Sequence, residues 1–259
     1  MPTLTVEGST YYYALAGPAD GKADRDVLFV HGAGGNHRHW LYQLQALKDS
    51  CRAYAVDLPG HGRSGGQPCD RVGGYREFIR LFAAHVLNDR PFYLVGHSMG
   101  GAITLDFARL YPDLLKGMVL VGTGARLRVL PELLETFRRG ESYDLTPLAF
   151  APQAPAALLQ AGREEAASVP AAVYLADYTA CDHFDLMNAL VEIQVPALII
   201  SADRDLLTPL KYGRFLLEKL PRAQLAVVKG AGHMMMLEQP DQVNGYLHQF
   251  LFSPVHQVV

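Results

Sequence analysis

Six short runs in this chain are apolar at every position, and each stops at a glycine or another turn-forming or polar residue. They cover residues 27–30, 53–56, 92–95, 118–121, 197–200 and 225–228. A strand with one wet face alternates polar and apolar residues. A strand that is apolar throughout must have both faces covered, as in a parallel sheet packed between helices. Helical patterns fill the gaps at 40–47, 75–87, 101–111, 210–220 and 242–250. Strand and helix in alternation predict an α/β fold, a doubly wound and mostly parallel sheet. Trp40 is expected to seal the first helix against that sheet. Tyr11, Tyr12 and Tyr13 are expected to pack from an edge strand near the start.

One interval breaks the rhythm. Between Gly122 and Val195 no buried strand can be read. Pro131 with Leu133, Leu134 and Phe137, then Gly140, reads as a short amphipathic helix with proline at its start. Residues 151–162 are rich in Ala and Pro, and a helical pattern resumes over 170–190. A structureless loop of that length is uncommon inside a compact domain. The expectation is therefore a helical cap at 124–186, inserted into a core made of 1–123 and 187–259.

Charge and composition exclude several functions. With 23 Lys and Arg against 26 Asp and Glu, the net charge is −3. That balance lacks the basic face a nucleic-acid partner requires. Cys51, Cys69 and Cys181 are too few and too scattered for a disulfide framework or a zinc site, and read as reduced thiols. The start has no basic segment leading into an apolar one, and no apolar run of about 18 residues follows anywhere. These features predict a cytoplasmic protein without a membrane span.

The chemistry is written at Gly96-His97-Ser98-Met99-Gly100, which follows the run 92–95 and precedes a helical stretch. In G-x-S-x-G the serine sits on a sharp turn. The glycines keep Cβ atoms out of the way where strand and helix converge, and the hydroxyl stands clear near the helix N-terminus. Serine alone is a weak nucleophile, so a histidine base and an orienting carboxylate should accompany it. Of ten histidines, His233 in Gly230-Ala231-Gly232-His233 is best placed, after the last strand and at the same sheet end. For the acid, Asp203 and Asp205 compete after the run 197–200. Asp205 has more room to reach the histidine loop, whereas Asp203 suits local turn hydrogen bonds. The loop at Gly122-Thr123-Gly124-Ala125 offers no carboxylate. The open loop His31-Gly32-Ala33-Gly34-Gly35-Asn36 exposes backbone amides, and those of Ala33 and Met99 are the expected oxyanion donors.

Taken together, HGAGG, DLPGHGRS (57–64), GHSMGG, ADRDLLTP (202–209) and GAGH resemble the α/β-hydrolase fold superfamily, in its serine-nucleophile, carboxylesterase-like branch. The resemblance implies eight mostly parallel strands, a cap between strands six and seven, and the chain order Ser98, Asp205, His233. It implies hydrolysis of a small-molecule ester with no metal and no cofactor. A lactonase, thioesterase, monoacylglycerol lipase or C–C bond hydrolase could use the same residues, and a non-catalytic ligand-binding protein could keep the fold. Aspartate nucleophiles of haloalkane dehalogenases and epoxide hydrolases are excluded by Ser98.

Other candidates are secondary. His97, Tyr174, Tyr178, Phe184 and Met234 are expected at the substrate pocket. Asp57 is expected to hold its own turn. His37 and His39 lack a third metal ligand nearby, and Arg126, Arg128, Arg138 and Arg139 read chiefly as a solvated basic face.

Overall fold

The six apolar runs form the parallel part of one eight-stranded sheet in the computed structural model, which describes residues 2–6, 8–18 and 23–252. The strands are β1 (Thr3–Val6), β2 (Ser9–Ala16), β3 (Asp26–Val30), β4 (Arg52–Val56), β5 (Phe92–His97), β6 (Leu115–Val121), β7 (Ala197–Ala202) and β8 (Ala223–Val228). Their spatial order is β1-β2-β4-β3-β5-β6-β7-β8. The pairs β1–β2 and β2–β4 are antiparallel and all others parallel. The three tyrosines lie in β2, which is not the edge. β1 turns back through Gly8 (φ 78°) and covers its outer side.

The helices are α1 (Leu41–Leu47), α2 (Val72–His85), α3 (Met99–Leu110), α4 (Pro131–Arg138), α5 (Thr146–Ala149), α6 (Ala156–Ser168), α7 (Ala171–His183), α8 (Leu210–Lys219), α9 (Met235–Glu238) and α10 (Pro240–Phe252). Successive strand residues point to opposite faces, so the uninterrupted apolar runs feed two cores. Val27, Phe29, Val95, Val119 and Ile200 pack with Trp40, Leu44 and Leu247 on the α1/α10 side. Leu28, Val30, Leu94, Leu120 and Ile199 pack with Phe78, Ile103 and Leu216 on the α2/α3/α8 side. Trp40 is fully buried and lies 4.9 Å from Phe29, ring to ring. β8 departs from the expected double burial. It closes the sheet, and only Val228 in it is buried.

The interval without strands holds α4 to α7, between β6 and β7. The chain leaves and returns side by side. Leu186 N–H donates to the Ala125 carbonyl at 2.8 Å, and Arg126 bridges antiparallel to Asp185. The four arginines each find a carboxylate: Arg126 with Asp185, Arg128 with Asp182 and Asp185, Arg138 with Glu135, and Arg139 with Glu141. Exposed pairs of this kind contribute little stability, and here they neutralise the basic face. No helix among the described residues is long and apolar enough to cross a membrane.

Parallel strands all end at one edge, so the loops after β3, β5, β7 and β8 meet there. Those loops carry Ala33, Ser98, Asp205 and His233.

Candidate active site

Ser98 occupies the turn between β5 and α3 with φ 54° and ψ −116°, a region that an L-residue rarely adopts. The neighbouring glycines explain why the turn can be this tight. A Cβ on Gly96 would overlap the Gly100 carbonyl, and one on Gly100 would overlap the Val30 carbonyl. The turn is tied down by Ser98 N–H, which donates to Val121 at 2.9 Å, and by the Thr123 hydroxyl, which donates to the Ser98 carbonyl at 2.8 Å. Met99 begins α3, where an N–H lacks an intrahelical acceptor.

Asp205 and His233 meet directly: the ring Nδ1 lies 2.9 Å from Oδ2, and both residues are buried. The carboxylate is further bound on every side. Leu207 and Thr208 N–H donate to Oδ1 at 2.9 and 2.8 Å, and the Thr208 hydroxyl donates to Oδ2 at 2.7 Å. Burial alone would raise the Asp205 carboxyl. The His233 charge and hydrogen bond, with the Thr208 donors, outweigh it and hold the carboxyl well below the usual carboxylate range. Asp203 corrects the expectation of a local turn role. Its Oδ1 accepts from Gly230 N–H at 2.8 Å and anchors the loop leading to His233. Glu238 supports the same loop from α9, accepting from Gly232 and Ala151 N–H at 2.9 and 2.8 Å.

The loop after β3 is held from several directions. His31 is fully buried. Leu58 N–H donates to its Nε2 at 3.1 Å, so its proton sits on Nδ1 and is donated to the Gly32 carbonyl at 2.8 Å. Burial and the nearby His61 push His31 well down, which keeps the ring neutral. Asp57 holds its own turn through Arg63 N–H (2.9 Å), and its other oxygen takes His37 N–H (2.7 Å) and meets the His37 ring (2.8 Å). His39 pairs with Glu165 of α6 at 3.2 Å. No group of three His, Cys, Asp or Glu is clustered for a metal among the described residues.

Glu165 also accepts from the Asn36 amide. Burial would raise its carboxyl, but His39, Asn36 and Arg38 lower it to about 2. A depressed carboxyl contributes stability above its ordinary range and loses it as pH falls through the folded value. Glu165→Gln is therefore expected to melt a few degrees below the parent at pH 7, at about 2–4 °C per kcal/mol. The gap should close as pH falls from 4.5 towards about 2. Thermal melts across that range check it, and a constant gap would refute the link.

Ser98, His233 and Ala33 open onto one cavity of about 500 Å³. Leucines of the α4–α7 segment, among them Leu133, Leu148 and Leu158, make much of its wall, a size and lining suited to a small organic ligand. His97, Tyr174, Tyr178 and Met234 also line it. His97 lies behind the site, its Nε2 donating to the His233 carbonyl at 3.0 Å and its ring 4.5 Å from the His233 ring. Tyr174 and Tyr178 stack with the buried Phe137 at 5.0 and 5.6 Å. Phe184 does not reach the cavity. It follows the last turn of α7 and is buried in the core on the α2/α3 side, with Leu127 and Leu190.

A model of the alpha/beta hydrolase family matches residues 27–245. The chain belongs to the alpha/beta hydrolase family. This hydrolase is 30% identical over 256 residues to the candidate carbamate hydrolase RutD of Agrobacterium fabrum (strain C58 / ATCC 33970), covering 93% of this chain and 97% of that protein. A solved thermophilic esterase superimposes with a TM-score of 0.82 at 31% identity, over 96% of both chains. The enol-lactonase from Burkholderia xenovorans LB400 gives 0.87 at 24% identity, over 97% of this chain and 100% of that one, a likeness of fold.

Sequence reasoning passed over Thr208, Glu165 and Glu238. Thr208 had a signal, since Asp-x-x-Thr is a common turn in which the carboxylate caps the following amides. The two glutamates had none. Their partners lie 87 or more residues away, except for Gly232.

Proposed function

We propose that this hydrolase cleaves small or medium carboxylic esters through an acyl-enzyme, with Ser98 as nucleophile, His233 as base and Asp205 as orienting acid. The Asp205–His233 pair at 2.9 Å, opening with Ser98 onto a largely apolar cavity, carries this reading. His233 takes the Ser98 proton as Oγ attacks the carbonyl. The amides of Ala33 and Met99 receive the oxyanion, and among the described residues neither N–H has an acceptor. His233 then protonates the leaving alcohol, and water repeats the sequence on the acyl-enzyme. This chemistry requires no metal or organic cofactor. In the same reading residues 124–186 are a cap that roofs the cavity and sets the acyl and alcohol preference.

A lactone or carbamate substrate is the second reading, favoured by the names of the similar proteins and by the shared attack at an acyl carbonyl. Comparing kcat/KM for p-nitrophenyl esters of increasing chain length with lactones, carbamates, thioesters and ring-fission products separates the two. The expected result is fastest turnover of short or medium esters. A lactone or carbamate preferred by tenfold or more would move the assignment, and a burst without steady turnover would favour the ligand-binding alternative.

A further inference from the structure

A fully buried carboxylate from outside the sheet domain reaches the loop that carries Ala33. Asp177, on α7, accepts at Oδ2 from Gly34 N–H at 2.7 Å and from the His61 ring at 2.8 Å, and at Oδ1 from the Tyr75 hydroxyl. The other His61 nitrogen lies 3.0 Å from the Pro59 carbonyl, which can only accept. Both ring nitrogens therefore donate, and the ring is an imidazolium paired with a carboxylate. Burial opposes the charge, but the hydrogen bond and the charge of Asp177 prevail and push His61 up. Burying such a pair is costly, and it persists when every oxygen lone pair and ring proton finds a partner.

The carboxylate acts on the residue beside the oxyanion donor. Gly34 has φ 65°, and the Tyr174 ring of the same helix fills the place where a Cβ would stand. Gly35 N–H turns back to the Gly32 carbonyl at 3.1 Å, and His31 holds that carbonyl from below. Asp177 thus holds the Ala33–Gly34 peptide and His31 the Gly32–Ala33 peptide, on either side of the Ala33 Cα. We propose that Asp177 is a positioning residue of the reaction: its carboxylate aims the Ala33 N–H at the developing oxyanion, so that the α7 helix completes the oxyanion site. This rests on the Ser98 reading above.

The test measures kcat per active site, counted by fluorophosphonate labelling, and the inhibition constant of a trifluoromethyl ketone. That inhibitor adds Ser98 Oγ to its carbonyl and presents an oxyanion to the same amides. Asp177→Ala is expected to lower kcat about 10- to 100-fold, to leave KM within about threefold and to weaken the ketone in parallel. Asp177→Asn keeps an acceptor for Gly34 but loses the charge, and should fall between, at about 3- to 10-fold. A merely structural role would lower the melting temperature and the labelled fraction but leave kcat per labelled site and the ketone constant unchanged. That result, in whichever of the two variants folds, overturns the proposal. Ser98→Ala runs beside them: if it still turns over ester, the Ser98 reading fails and this proposal fails with it. An inactive Ser98→Ala with parental kcat in the Asp177 variants removes Asp177 alone.

Discussion

Ser98→Ala is expected to lower kcat for a p-nitrophenyl ester by about 10⁴-fold or more while leaving the melting temperature nearly unchanged. The size follows from the division of labour in a nucleophile–base–acid set. Without the nucleophile no acyl-enzyme forms, and what remains is the modest acceleration from substrate binding and the amide donors. The stability expectation follows from the backbone. Alanine is under the same strain as serine at φ 54° and ψ −116°, and the turn is held by main-chain and Thr123 bonds that survive the change. The Ser98 hydroxyl itself lies at the cavity, so its loss leaves no core void. Steady-state kinetics, fluorophosphonate labelling and a thermal melt decide the matter together. Labelling of another residue, or turnover within tenfold of the parent, would end the serine-nucleophile reading.

Asp205→Asn is the second large effect, expected at about 10³- to 10⁴-fold in kcat with little change in KM. Leu207 and Thr208 N–H can still donate to the amide oxygen placed at Oδ1. The amide nitrogen then replaces Oδ2, which now accepts from both the Thr208 hydroxyl and the His233 ring. A donor there forces His233 to present an unprotonated Nδ1 and to keep its proton on Nε2, the wrong nitrogen for a base. The fold is preserved and the tautomer is inverted. Kinetics of the purified variant with its melt alongside test this, and a loss below tenfold would give the orienting role to another group.

Where the structure departs from the sequence expectation, one physical cause recurs: partners distant in the chain. Tyr11–Tyr13 could be assigned to a strand from composition, but whether another strand lies outside it depends on β1 folding back at Gly8. Phe184 looked like a pocket residue because it follows Tyr174 and Tyr178 in a helical pattern. The chain leaves α7 at His183 with an extended turn, and that turn sends the ring into the core. Asp203 was placed in its own turn because a sequence shows only local partners, yet its acceptor oxygen serves Gly230 on the adjacent loop. By contrast Asp205, His233 and Ser98 were legible. Each lies within five residues of the end of an apolar run, and parallel strands bring all run ends to one edge.

From sequence alone came the parallel sheet, the strained serine turn, the carboxylate–histidine order and the presence of a helical insertion. These depend on periodicity, on glycine at points of close backbone approach, and on turn chemistry, all of which act within a few residues. Only the tertiary structure decided how α4 to α7 sit over the site. It placed Glu165 and Asp177 against the loop at Gly34 and Asn36, through hydrogen bonds that span 129 and 143 residues. A buried carboxylate can be tolerated wherever the folded chain delivers enough donors. Which donors arrive is set by packing between distant segments, and no local pattern encodes it.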